Sequence, residues 1–239
     1  MLNPDLDVDS LRQAFGQHRA LSIPNFLRAD VAERLHRAVT GFSWNVEIND
    51  YGSSPPFRMP LSKDMAGRNL GLLLENAEHG KDMQRLFYLR LVVDGETFAQ
   101  PDLLAFREFV NSAPYLEVMR AITGESDLTH MSLDATCYDK GCFLGGHRDD
   151  AHPQNVIACV FNLTANWRPD WGGLLTLFEP GTPPIILRNS WNTLNLFKVP
   201  RYHVVNVVSP AALEKRYALS GWLRRGAPSD GDAVMNSGR

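Results

Sequence analysis

The chain has 239 residues, 44% hydrophobic and 21% charged, with a formal net charge of -3 and a pI near 6.2. That size gives one large domain, or a domain with an added lobe, and the composition excludes a disordered chain. The charge balance gives no electrostatic reason to expect binding to nucleic acid or anionic membranes.

Three cysteines, Cys137, Cys142 and Cys159, make no disulfide framework and no C-x-x-C pair, which suits reduced thiols in a cytoplasmic protein. The opening stretch MLNPDLDVDS is acidic and polar, so no secretory signal is expected. The apolar runs are too short to cross a bilayer.

In chain order, residues 20–26 (ALSIPNF) read as a short strand broken by Pro24. Residues 30–39 read as an amphipathic helix with Asp30 as its cap and Val31, Leu35 and Val39 on its buried stripe. Residues 41–60 are rich in Gly, Ser, Pro and Asn and predict irregular structure. Residues 83–93 suit a helix or a strand. Residues 102–123 predict a helix interrupted near Pro114, with Leu103, Leu104, Phe106, Phe109 and Val110 on its buried side.

The character changes after Gly124. Short alternating runs follow at 131–138, 155–163, 174–178, 185–187, 193–197, 203–208 and 217–223. Strands of this length and spacing predict an antiparallel sandwich or barrel, with the helical N-terminal segments covering its outer sheet. The expected organisation is a helix-rich supporting segment (1–127), a β core (128–226) and a polar tail (227–239), all in one integrated domain.

The segment GGHRDDAH (145–152) carries the chemistry. His147 and Asp149 are two apart, so on a strand or strand end they point to the same face. His203, at the start of a late strand, supplies a third ligand. Two histidines and one carboxylate leave one side of a metal open, which is the donor set of non-haem Fe(II) oxygenases. Arg148 and Asp150 face away by the same alternation, and His152 sits in a loop before Pro153.

In RYALSGW (216–222), Arg216, Ala218, Ser220 and Trp222 share one face. A dicarboxylate co-substrate needs a buried cation, and the planar fork of Arg216 suits bidentate pairing. Ser220 can add a hydroxyl to the same oxygens, while Lys215 faces the other way.

Six separated motifs then stand in order: Tyr138, His147-Arg-Asp149, GGLLTLF (172–178), WNTLNLF (191–197), His203 and RYALSGW. Together they resemble the prolyl 4-hydroxylase-like branch of the 2-oxoglutarate and Fe(II)-dependent dioxygenases, over residues 128–225. The resemblance implies a mainly β fold with flanking helices: a double-stranded β-helix, or jelly roll, with the N-terminal helices packed on one sheet.

It further implies that His147, Asp149 and His203 bind iron, that Arg216 pairs with the distal carboxylate of 2-oxoglutarate, and that Tyr138 and Ser220 line the co-substrate pocket. Phe161 and Asn162 stand where many relatives carry a second tyrosine. The insert SPAAL (209–213), between His203 and Arg216, is expected to loop out.

The implied activity is hydroxylation of a C–H bond, of a prolyl residue in a protein or peptide, with O2 as oxidant and ascorbate as reductant. Two alternatives stay open: a hydroxylase of a free amino acid or small metabolite, and a non-catalytic cupin-like sensor. The arginine clamp argues against the sensor.

Overall fold

Apolar alternation after Gly124 becomes a stack of short antiparallel strands. The computed structural model describes residues 1–49, 57–60, 88–92, 100–150 and 152–228. The N-terminal part contains α1 (Val8–His18), β1 (Ala20–Ile23), α2 (Ala29–Thr40), β2 (Asn45–Asn49), β3 (Phe57–Pro60), β4 (Tyr88–Val92), α3 (Pro101–Val110) and α4 (Ala113–Thr123). Then come β5 (Leu128–Met131), β6 (Asp134–Tyr138), β7 (Phe143–His147), β8 (Asn155–Asn162), β9 (Leu175–Phe178), β10 (Ile185–Leu187), β11 (Thr193–Lys198), β12 (Tyr202–Val205) and β13 (Arg216–Arg225).

Eight of these strands form the barrel. One sheet has the order β11-β8-β13-β6 and the other β7-β12-β9-β10, with every ladder antiparallel. Except at the β9–β10 hairpin, successive strands leave one sheet for the other, which is the double-stranded β-helix that the sequence implies. β1 extends the first sheet at β11, and β4 pairs with both β6 and β7, joining the sheets at one side.

The N-terminal helices cover the first sheet. Phe161, on the outer face of β8, packs against Phe26 and Phe106 with ring centroids 6.0 and 5.1 Å away. Phe106 and Val110 of α3, and Tyr115, Met119 and Ile122 of α4, are fully buried there. The imidazole Nδ1 of His36 on α2 lies 2.7 Å from the Leu163 carbonyl, which ties that helix to the barrel. No helix among the described residues is long and apolar enough to cross a membrane.

Several local readings change. α1 escaped the sequence reading although Asp7 caps it, accepting from the Ser10 N–H at 3.0 Å. Asp30 does not cap α2: the N-cap is Arg28 with no side-chain bond, and exposed Asp30 instead pairs with Arg28 and Arg34. The stretch read as irregular holds β2 and β3, which pair with each other. Of residues 83–93, 88–92 form β4 and the rest lie outside the described residues; so do residues 229–239 of the tail.

The insert at 209–213 folds back rather than looping out freely. Ser209 N–H donates to the Trp171 carbonyl at 2.8 Å and Ala212 is buried, leaving Leu213 exposed.

The run at 131–138 is two strands, because Ser132 and Leu133 cross over Gly221 of β13. A Cβ at Gly221 would sit 1.9 Å from the Ser132 carbonyl oxygen. That oxygen belongs to backbone and cannot swing aside. Gly221→Ala is therefore expected to cost roughly 3 kcal/mol or more, read as a lower urea midpoint. An unchanged midpoint would show that β5 and β6 shift freely over β13.

Candidate metal centre

The ligand-bearing segments meet by strand pairing. β7 ends at His147, which pairs with His203 of β12. Asp149 lies beyond the strand and reaches the same point by a different route from the alternation first expected: its backbone is left-handed, with φ of 58°. Asp tolerates that region better than most residues, and the turn swings its carboxylate back over the end of β7.

One ligand atom each from His147, Asp149 and His203 lies within 4.8 Å of the others. The side chains are 17%, 9% and 5% exposed respectively, so the cluster opens to solvent mainly on the His147 side. The two imidazoles stand 4.0 Å apart between centroids, and Phe197 closes on His203 at 4.7 Å.

The hydrogen bonds fix which nitrogens face inward. His147 Nδ1 is 2.9 Å from the Gly145 carbonyl, and His203 Nδ1 is 2.7 Å from the Arg201 carbonyl. A carbonyl only accepts, so each Nδ1 carries the proton and each neutral ring keeps its lone pair on Nε2. Those Nε2 atoms lie 3.1 Å from Asp149 Oδ1 and 3.5 Å from Oδ2. Three lone-pair donors facing one another repel unless a cation sits among them. The donor set of two imidazoles and one carboxylate fits Fe(II), with the opposite side left for exchangeable ligands.

Trp222 completes the arrangement. Its indole Nε1–H donates to Asp149 Oδ2 at 2.9 Å, and the Arg224 guanidinium lies 5.9 Å from its ring. The sequence reading put Trp222 on the face of Arg216 but missed this bond. The period-two spacing was the available signal, since the face that carries Arg216 inward must carry Trp222 inward too. The two carbonyl acceptors had no signal, because any residue offers a carbonyl.

Burial works to raise the Asp149 pKa, but His147, His203 and Trp222 outweigh it and hold the carboxyl below its usual range. Burial, and then the neighbouring His147, push the His203 pKa down to about 4. Asp149 and His203 are thus in their metal-binding forms at neutral pH.

The other predicted site residues lie on the inner face of the first sheet. Arg216 pairs with Tyr138 across the β13–β6 ladder, and its Cζ is 5.2 Å from the Tyr138 ring centroid. It is 2% exposed; its Nη2 reaches only Asn162 Oδ1, at 3.5 Å, and its Nε has no hydrogen-bond partner. No carboxylate among the described residues pairs with it. Burial pulls its pKa down, yet a guanidinium keeps its charge in any protein.

Ser220 is half-buried two residues past Ala218, its hydroxyl 3.5 Å from that of Thr136. Of the two residues in place of a second tyrosine, Asn162 turns inward to Arg216 and Phe161 outward to the helices. Arg148, Asp150 and His152 are exposed, and none of them joins the cluster.

Two outcomes follow. Trp222→Phe keeps the packing and deletes the bond to Asp149, so Mn(II) affinity measured by calorimetry should fall about tenfold or more, with metal-free unfolding little changed. An affinity equal to wild type would make the indole a wall and nothing else. The second concerns acid. Between pH 6.5 and about 4 the unfolded chain takes a proton on His203 that the folded chain refuses, so metal-free protein should lose stability as pH falls through that window, by about 3 kcal/mol in total. Urea titrations across that range should flatten in His203→Asn; an equally steep slope in the variant would assign the acid loss to other groups.

Comparisons with known proteins agree with this geometry. Residues 133–224 match the profile of the 2OG-Fe(II) oxygenase superfamily. A comparison with curated protein sequences finds no match. Among solved structures, the chain is similar to a prolyl-4-hydroxylase of Pseudomonas putida, at 16% identity and a TM-score of 0.58, over 95% of this chain and 98% of that one. It is similar to a 2OG-Fe(II) oxygenase family oxidoreductase of Burkholderia pseudomallei, at 14% identity and a TM-score of 0.61, over 95% of each chain. It also resembles a prolyl hydroxylase of Trichoplax adhaerens in complex with a hypoxia inducible factor peptide fragment, at 14% identity and a TM-score of 0.60, over 96% of this chain and 92% of that one. At these identities the likeness establishes the fold. The matched residues, 133–224, contain the whole His147–Asp149–His203 triad, so the stretch that resembles the 2OG-Fe(II) oxygenase superfamily is the one that carries the metal donors.

Proposed function

We propose that the chain hydroxylates a C–H bond of a prolyl residue in a protein or peptide, using Fe(II), 2-oxoglutarate and O2. The observation that carries the co-substrate assignment is Arg216, a guanidinium 2% exposed, with an orphaned Nε and no carboxylate partner among the described residues. Burying a cation without an anion costs several kcal/mol, and the distal carboxylate of 2-oxoglutarate is an anion of the right chemistry to offset it. A cupin-like sensor has no use for such a group.

Each side chain then has a role. His147, Asp149 and His203 hold the iron on one side. The Arg216 fork pairs with the distal carboxylate, the Tyr138 ring stacks beside that fork, and the Ser220 hydroxyl adds a donor. Asn162 steadies the guanidinium from the β8 side. Fe(II) with bound 2-oxoglutarate and O2 supplies an oxidant that converts C–H to C–OH, releasing succinate and CO2. Trp222 keeps Asp149 turned toward the metal through turnover.

The prolyl assignment rests on fold likeness: two of the similar structures are prolyl hydroxylases, and one holds a peptide. A free amino acid or small metabolite is the competing substrate class. The test incubates the chain with Fe(II), 2-oxoglutarate and ascorbate as reductant, plus proline-containing peptides or free amino acids, and measures succinate and the gain of one oxygen by mass. Oxygen gain on peptides alone supports the proposal; gain on free amino acids alone replaces the substrate; no succinate with any of them removes the enzymatic reading. Arg216→Ala should weaken 2-oxoglutarate binding at least about tenfold, the cost of one charge-assisted bidentate pair, and leave Mn(II) affinity intact. Lost metal with unchanged co-substrate affinity would mean Arg216 serves the other half of the site.

A further inference from the structure

We propose that Arg201 is a positioning residue that locks the two halves of the metal triad to one another and to the N-terminal helix. The proposal rests on the metal reading of the triad.

Arg201 immediately precedes β12. Its N–H donates to the Arg148 carbonyl at 3.3 Å, the peptide lying between the ligands His147 and Asp149. Its own carbonyl accepts from His203 Nδ1 at 2.7 Å. One residue's backbone therefore touches both segments that carry ligands. A rotation there would turn the His203 ring and strain the His147–Asp149 turn together.

The side chain prevents that rotation. The residue is 8% exposed, and its guanidinium is held at both ends. Nη1 donates to the His18 carbonyl at 2.8 Å, in the last turn of α1, and Nη2 to Glu179 Oε2 at 2.8 Å, just past β9. The end of α1 offers carbonyls without helical partners and the negative pole of its dipole. A planar fork fixed on two different elements has no other rotamer that keeps both bonds. Leaving it would strand a buried charge, which is expensive. The guanidinium so fixes the peptide, and the peptide fixes the imidazole. Arg201 acts through His203 and the Arg148 peptide.

The test compares Arg201→Lys, Arg201→Met and Glu179→Gln with wild type, each as the full chain. Three readouts are taken: the Mn(II) dissociation constant, the visible absorption bands of the Co(II)-loaded protein, which report ligand geometry, and 2-oxoglutarate affinity at saturating Mn(II). Arg201→Met should weaken Mn(II) about tenfold or more and shift the Co(II) bands. Arg201→Lys keeps the charge but not the fork, so it should recover part of the loss. Glu179→Gln, at a side chain 59% exposed, should fall between Arg201→Lys and wild type. Affinity for 2-oxoglutarate at saturating metal should stay at the wild-type value, because Arg216 lies on the other sheet.

Folded Arg201 variants with wild-type Mn(II) affinity and unshifted Co(II) bands overturn the proposal. If neither Arg201 variant folds, Glu179→Gln decides: weakened Mn(II) binding supports it, and wild-type binding overturns it. A wild-type chain that takes up no Mn(II) overturns the metal reading itself, and the proposal with it.

Discussion

Two imidazole lone pairs and a carboxylate pointed at one another inside a barrel are tolerable only with a cation among them. The rest of the site exists to hold that electrostatic conflict in place. The carbonyls of Gly145 and Arg201 claim the outer ring nitrogens, so the inner ones have no choice of tautomer. The indole of Trp222 claims one carboxylate oxygen and stops Asp149 from turning to solvent. The β7–β12 pairing sets His147 beside His203. The fold spends stability on this arrangement and recovers it when a metal binds.

A second unresolved charge sits along β13. Arg216 is buried beside Tyr138 and Asn162 with no anion among the described residues. The two features are complementary: one region lacks a cation and the other lacks an anion. On the function proposed above, a ferrous ion and a dicarboxylate that chelates it would answer both.

Much of this was legible in the sequence for specific physical reasons. Period-two alternation gave the strands of the barrel and the inner face of β13. The H-x-D spacing and the late His203 gave the ligand identities, since few residue types bind iron in that pattern. The helical stripe of Val31, Leu35 and Val39 gave α2. What stayed illegible depended on backbone geometry or on contacts distant in sequence. The left-handed Asp149 cannot be seen in a pattern that assumes a strand, and the crossing of Ser132 over Gly221, which divides one predicted strand into two, is a tertiary event. α1 was missed although its Asp7 cap and the helical spacing of Val8, Leu11 and Phe15 were present. The substrate is not written in either place, because the barrel supplies chemistry and the loops at its mouth choose what enters.

Trp222 and Arg216 reach the interior from the same strand, six positions apart on one face. Sliding β13 by a single residue would bring Tyr217, Leu219, Gly221 and Leu223 inside instead. Both the brace on the ligand carboxylate and the buried guanidinium beside Tyr138 would vanish in one step. A molecule misregistered there would keep the three ligands on the β7–β12 side and lose, together, the indole bond to Asp149 and the buried guanidinium. Joining the two features to one register makes them appear or disappear together as the strand pairs.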